Sequence, residues 1–222
     1  YEAIPHIAAR YVSDEAHLEE IAQRLKDVGV RNIFVPGGDR EEPLGEFGSA
    51  YELLDALENL GYEFEEVGIT GYPEGHEFLS DETLVEAMKR KRPYATYITT
   101  QLCYEPDDIV DWVEQIRERG ADLPVYVGIP GVVKYQRLLR ISSRTGVGDS
   151  IQFLQKTSGI IEFVRRLVGS RGTYTPDHLI EGLAPCYDNP QYDIRGLHIY
   201  TFNEAPDTEG WRQGLLAQSG AK

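Results

Sequence analysis

Apolar residues along this chain recur in two alternating rhythms. Short runs rich in apolar and β-branched residues read as strands: IPHIAARYV, RNIFVPGGD, EFEEVGIT, YATYITTQLCY, LPVYVGIPGVV and RGLHIYTFNE. Between them, apolar residues spaced three and four apart read as helices. Leu18, Ile21, Ala22 and Leu25 mark the first, DEAHLEEIAQRLKDVG, with Ser13 placed to cap it and Gly29 to close it. SAYELLDALENLG, DETLVEAMKRK, DDIVDWVEQIRERG, KYQRLLRISSRTG and GWRQGLLAQ read the same way, as does a longer amphipathic stretch, SIQFLQKTSGIIEFVRRLVGSRG. The segment TPDHLIEGLAPCYDNPQYD has no clear period and reads as a loop.

Strand, helix and strand in regular succession imply right-handed βαβ crossovers and a parallel sheet. The pattern supplies about six strands. A complete (β/α)₈ barrel has eight and ~250 residues. A doubly wound sheet is the alternative, but no GxGxxG or GxxxxGK[ST] follows any strand, so no nucleotide fingerprint supports it. No repeat, low-complexity tract or linker divides the chain, and residues 1–222 read as a single domain.

Composition narrows the function classes. A formal charge of −15 argues against nucleic acid as a partner, because phosphate repels such a surface. No apolar run approaches the ~20 residues of a membrane span, and YEAIPHIAARYV has the features of no secretory leader. Cys103 and Cys186 form no CxxC pair, which points to free thiols in a reducing compartment and a cytoplasmic location. The five histidines show no HxH or HExxH spacing, so no metal site is expected. Lysine occurs only six times; the acid-rich, lysine-poor surface is compatible with a high-salt cytoplasm, and equally with an ordinary solvated acidic surface.

The chemistry gathers at the carboxyl ends of the strands. In order these carry His6, then Gly37-Gly38-Asp39, then Tyr72-Pro73-Glu74-Gly75-His76, then Gln101, then the glycines from Gly128 to Gly131, then Tyr200 with Asn203 and Glu204. In a parallel barrel such clusters converge on one mouth, where ligands bind. The GYPEGH hexamer shows how a loop of this kind is made. Pro73 donates no ladder hydrogen bond and ends the strand, and Gly75 permits a turn, leaving Tyr72, Glu74 and His76 on a tight loop. Taken alone, the hexamer is as readily a plain surface turn. Other residues have simpler readings. Trp112 and Trp211 pack on amphipathic helices, His17 and His178 are solvated, Cys103 is a small apolar residue, and His198 shares a face with Tyr200.

PHI at 5–7, GGD at 37–39, GYPEGH at 71–76, ITTQLCYE at 98–105, GIPGV at 128–132 and HIYTFNE at 198–204 together resemble the flavin-dependent methylenetetrahydrofolate reductases. The resemblance spans almost the whole chain. It implies a (β/α)₈ TIM barrel of which this chain covers about strands 3–8. It further implies FAD at the mouth, and a hydride passed from NADH, NADPH or another donor through the flavin to methylenetetrahydrofolate or a related pterin. His6, Gly38, Asp39, Tyr72 and His76 are then expected at the flavin, and Asp39 as the catalytic carboxylate between flavin and folate. Gln101, Arg137 and Tyr200 are expected at the pterin. Lys89 and Arg90, from the basic run Lys89-Arg90-Lys91-Arg92, are expected at the FAD diphosphate; the plainer alternative is a helix carboxyl terminus dressed with cations.

The pattern also departs from the family. The first two β/α units, with the glutamate that acts as general acid, have no counterpart, and a barrel lacking them implies a missing part, a homo-oligomer or a place in a complex. Gly37 stands where arginine is frequent, Arg137 where glutamine is usual, Ile141 where phenylalanine packs on folate, and Glu204 where arginine follows the tyrosine strand. A non-reductase flavin- or pterin-binding barrel, serving as partner subunit in a redox or methyl-transfer complex, is the alternative reading.

Overall fold

The structure is a computed structural model describing residues 3–76, 79–134, 137, 138, 140, 173–187 and 189–219. After a 3₁₀ turn over Ala9–Tyr11, the elements in chain order are α1 (Glu15–Asp27), β1 (Asn32–Val35), α2 (Ala50–Asn59), β2 (Glu66–Gly71), α3 (Asp81–Lys91), β3 (Tyr97–Thr100), α4 (Pro106–Glu118), β4 (Val125–Pro130), β5 (Val133–Lys134), β6 (Thr173–Tyr174), α5 (Asp177–Tyr187), β7 (Ile194–Tyr200) and α6 (Ala205–Ser219).

Local chemistry sets the helix boundaries. Asp14, not Ser13, caps α1: its carboxylate accepts the His17 amide at 2.8 Å, while Ser13 turns its own amide and hydroxyl to the His17 ring. The acid sits three residues ahead of that amide, the reach an N-cap side chain needs. Ser49 and Glu52 close a reciprocal capping box on α2, and Pro106 opens α4, where its missing N–H costs nothing.

The reading of 175–193 as a loop is corrected by α5. Leu179, Leu183 and Cys186 are buried on one face of this helix. Pro185 and Gly182 inside it are poor helix formers, and they mask a period that tertiary packing makes good. The expected strand over residues 4–12 is also shorter than read. His6 makes a single parallel bridge to Phe34. Pro5 and Pro36 can only accept, from Phe34 and Ala9 respectively, so the ladder lacks two of the amides a longer pairing would use. The amphipathic stretch at 150–172 lies outside the described residues, as does Ile141.

The main sheet has five parallel strands in the order β1-β2-β3-β4-β7, and the His6 segment adds to its β1 edge. β5 and β6 form a separate antiparallel pair. Laid flat, six strands would hold the outer two about 24 Å apart. Instead the rings of His6 and His198, from opposite edges, approach to 6.1 Å between centroids, and Phe34 and His198 to 6.4 Å. The sheet is therefore curled, with these side chains on its concave face, as in the wall of a (β/α)₈ barrel.

Each strand puts alternate residues on the two faces. Ile33, Val35, Ile69, Ile98, Val125 and Ile129 are fully buried under the helices. On the concave side the Tyr97 hydroxyl donates to Asn32 at 3.1 Å, and the Asn32 amide donates to Glu66 at 2.6 Å. Tyr97 has room there because residue 68 is glycine: a Cβ on it would stand 2.4 Å from the tyrosine ring.

Candidate active site

Four strand ends meet at the carboxyl end of the sheet. Gln101 is held there by its amide, which donates to the Gly71 carbonyl at 2.8 Å, so Gln101 and Tyr72 leave adjacent strands at the same level. Thr100 locks the next strand: its hydroxyl accepts the Gly128 amide at 2.7 Å and donates to the Gln101 carbonyl at 2.9 Å. Tyr200 reaches across from β7 and donates to the Thr100 carbonyl at 3.1 Å. Gly128 makes that crossing possible, since a Cβ on it would meet the Thr100 and Gln101 carbonyls at 2.4 and 2.5 Å and the Tyr200 ring at 2.8 Å.

Below Tyr200 the concave face is aromatic. The His198 ring meets Tyr200 edge-on at 4.7 Å, and His6 meets Phe34 at 4.7 Å. Burial, and secondarily His6, push His198 down to about 4, so it is neutral at neutral pH; partial desolvation of its ring also lowers His6, although the residue remains exposed. Burial, with smaller contributions from Cys103 and Tyr72, pushes Tyr200 up to about 12, so it stays a hydrogen-bond donor. Cys103 is fully buried, which pushes its thiol well up.

The GYPEGH segment forms the turn expected of it: the Gly75 amide donates to the Tyr72 carbonyl at 3.1 Å, with Gly75 at φ +77°. Tyr72 and His76 stand edge to face at 5.1 Å. Glu74 turns the other way and accepts the Tyr104 amide at 3.3 Å, tying this loop to the segment after β3. A second apolar cluster of Leu102, Tyr104, Val133, Leu138 and Tyr174 lies beyond the strand ends, with Tyr200 and Phe202 packed against it. On the far side of the mouth, Gly38 (φ +97°) presents Asp39, whose carboxylate accepts the Tyr11 hydroxyl at 2.6 Å.

Past β7 the chain turns through Phe202 and Asn203, both with left-handed φ of 51° and 64°. That conformation is costly for residues with a Cβ. It stacks Phe202 on Tyr200 and brings Glu204 to Arg137, with which it forms an ion pair.

Lys89 and Arg90 stand on the last turn of α3. A crossover helix runs back against its strands, so the last turn of α3 lies where the strands begin, and Thr96 just beyond it donates to the Val67 carbonyl at the start of β2. Lys89 pairs with Glu86 at 2.8 Å, Arg90 reaches to 4.1 Å over the ring of Tyr51 in the first turn of α2, and Arg92 bonds Asp122. Lys91 is buried, which pushes its amine down to about 8. Among the described residues no group of three His, Cys, Asp or Glu could hold a metal ion, and no helix is long and apolar enough to cross a membrane.

A family model described as "Methylenetetrahydrofolate reductase" matches residues 1–209. The chain belongs to the methylenetetrahydrofolate reductase family. It is similar to methylenetetrahydrofolate reductase 1 of Schizosaccharomyces pombe, at 26% identity over 64% of this chain. It is also similar to methylenetetrahydrofolate reductase 2 of Saccharomyces cerevisiae, at 27% over 84%, and to methylenetetrahydrofolate reductase (NADH) 1 of Zea mays, at 24% over 91%. The chain spans only 25%, 32% and 36% of the lengths of those three relatives. Within the methylenetetrahydrofolate reductase family pattern, the departures at 137 and 204 belong together: a cation replaces the expected glutamine and an anion the expected arginine, and the two pair.

Sequence reading did not single out Thr100, Phe34 or Tyr11. Thr100 was legible only as part of the ITTQLCYE motif, and nothing local marks Tyr11 as the partner of a residue 28 positions away.

Proposed function

We propose that the protein is a flavin-dependent oxidoreductase that reduces 5,10-methylenetetrahydrofolate, or a related pterin, to the 5-methyl form, with NADH, NADPH or another donor supplying the hydride. One observation carries the reading. The strand-end residues that match the family motifs, His6, Tyr72, Gln101 and Tyr200, lie along one end of a curled parallel sheet, tied together by Thr100 and Gly71.

The residues present fit a flat, hydrogen-bonding ring system. Tyr72, His76, Gln101 and Tyr200 are half-buried, and His6, Gly38 and Asp39 are exposed, so aromatic faces and edges, an amide and a carboxylate are open to an occupant. FAD, when bound, would take up the hydride and hand it on. Toward the pterin edge, the Gln101 side chain offers both a donor and an acceptor. Tyr200 supplies an aromatic wall whose hydroxyl is already satisfied. Asp39 places a negative charge that disfavours a more negative ring, and so lowers the reduction potential of a flavin beside it. Lys89 and Arg90, on the last turn of α3, are assigned to the FAD diphosphate, with Arg90 reaching to 4.1 Å over the ring of Tyr51 in the first turn of α2.

The test uses the full-length protein given excess FAD. It is expected to retain the flavin after gel filtration, and the reduced flavin is expected to be reoxidised by methylenetetrahydrofolate in a single turnover. Gln101→Ala is expected to slow that reoxidation at least tenfold while keeping the flavin, the scale of one lost substrate hydrogen bond in a buried site. Absence of bound flavin would sink the reading; bound flavin that ignores the folate would favour a flavin-binding partner subunit.

A further inference from the structure

Segment 8–13 acts as a base plate for the loop that carries Asp39. Arg10 donates from Nε to the Gly48 carbonyl at 2.8 Å, and from Nη1 to the carbonyls of Arg40 at 2.8 Å and Glu41 at 3.2 Å. Leu44 and Glu46 donate their amides to the carbonyls of Arg10 and Ser13 at 2.9 and 3.0 Å. The two segments touch so closely at Gly45 that a Cβ there would lie 1.7 Å from the Ser13 carbonyl oxygen. On this plate the Tyr11 ring backs onto Gly38, where a Cβ would approach it to 3.4 Å, and its hydroxyl meets Asp39 Oδ1 at 2.6 Å. The Arg40 guanidinium lies 5.5 Å from the same ring.

We propose that Tyr11 is a positioning residue for Asp39: its phenol fixes the direction of the carboxylate and shares its negative charge. The distance is that of a charge-assisted O–H···O⁻ bond. Tyr11 and Asp39 are both exposed, and a pair in water contributes little to folding. The geometry gains its force when a bound ring excludes water from the carboxylate, because the same hydrogen bond then acts in a lower dielectric. Asp39 raises the Tyr11 hydroxyl above the usual tyrosine value, chiefly through that bond, and Arg40 opposes it weakly. The inference rests on the flavin reading only for what Asp39 faces; the bond itself is a property of the chain.

Two measurements on full-length protein separate these. In the first, without flavin, tyrosines are labelled at Cζ with carbon-13; the resonance missing from Tyr11→Phe identifies Tyr11. Its ionisation midpoint is expected to fall in Asp39→Asn, and an unmoved midpoint overturns the proposal. In the second, the FAD-loaded proteins are titrated for flavin midpoint potential. Asp39→Asn should raise it, and Tyr11→Phe should lower it, since the carboxylate then keeps its full charge. Adding Tyr11→Phe to Asp39→Asn should change nothing further. A merely structural role would loosen flavin or lower the melting temperature alike in both backgrounds. A Tyr11→Phe shift of the same size with and without the carboxylate, or no shift in either, overturns the proposal. If no variant binds flavin while the tyrosine resonance responds as expected, the cofactor reading falls and the Tyr11–Asp39 bond stands.

Discussion

His198 contributes stability through the proton it refuses. Burial and the neighbouring His6 hold it neutral down to about pH 4, whereas an unfolded histidine titrates near 6.5. Between those values the unfolded chain binds a proton that the folded chain does not, so stability is fully present above pH 6.5 and is lost as pH falls toward 4. The groups facing the ring are His6, Phe34 and Tyr200; of these only His6 titrates in that window, and it too is lowered, so it adds with the same sign. A gap of this size corresponds to ~3 kcal/mol. His198→Phe is expected to flatten the acid limb of a urea-denaturation series between pH 7 and 4.5 by ~2–3 kcal/mol relative to wild type. Parallel limbs would show that the half-buried His198 ring is not the titrating group. None of this was visible from residue 198 alone: its shared face with Tyr200 followed from a period of two, but its desolvation depends on a partner from the opposite edge of the sheet.

At the scale of elements, α5 shows why one segment was misread. Gly182 and Pro185 argue against a helix, yet Gly182 is explained by packing on α4. A Cβ at residue 182 would stand 2.3 and 2.6 Å from carbons of Pro106, so only glycine lets the two helices come this close. Gly182→Ala therefore sets two effects against each other. Helix propensity favours alanine by ~1 kcal/mol, while overpacking against a rigid proline ring costs ~1–3 kcal/mol. The variant is expected to be less stable by ~1 kcal/mol or more in chemical denaturation, against the propensity scale; a gain in stability would mean that the α4–α5 contact is looser than drawn. The strands show the converse. Ile33 and Val35 stand in a continuous apolar run, as buried parallel strands do, and with Ile98 and Val125 they are fully buried.

At the scale of the molecule, charge and curvature dominate. With 37 acids against 22 Lys and Arg, the surface repels itself. Among the described residues, ion pairs that offset this include exposed ones such as Arg24–Glu20 and Arg31–Glu65, and such pairs contribute little. Raising KCl from ~0.1 M to ~1 M shortens the screening length from ~10 Å to ~3 Å. The melting temperature is expected to rise by several degrees over that range, read by circular dichroism, because screening relieves more repulsion than attraction. A flat or falling melting temperature would mean that local pairs outweigh the net charge. The curl of the sheet is the other global feature, bringing His6 and His198 within 6.1 Å although 191 residues separate their numbers.

Periodicity was enough to establish the alternation of strands and helices, the parallel sheet it implies and the polar strand ends that share one level, because these follow from where each side chain falls on a local period. The motifs GYPEGH and ITTQLCYE carried the family resemblance that the match over residues 1–209 supports. Contacts between distant segments decided the rest. Arg90 of the basic run gained the Tyr51 ring, on a neighbouring helix. Asp39 gained Tyr11, Glu204 gained Arg137 and Tyr200 gained the Thr100 carbonyl, all across the fold. No local rule encodes such pairs, since each distance depends on the summed curvature of a sheet whose strands lie tens of residues apart.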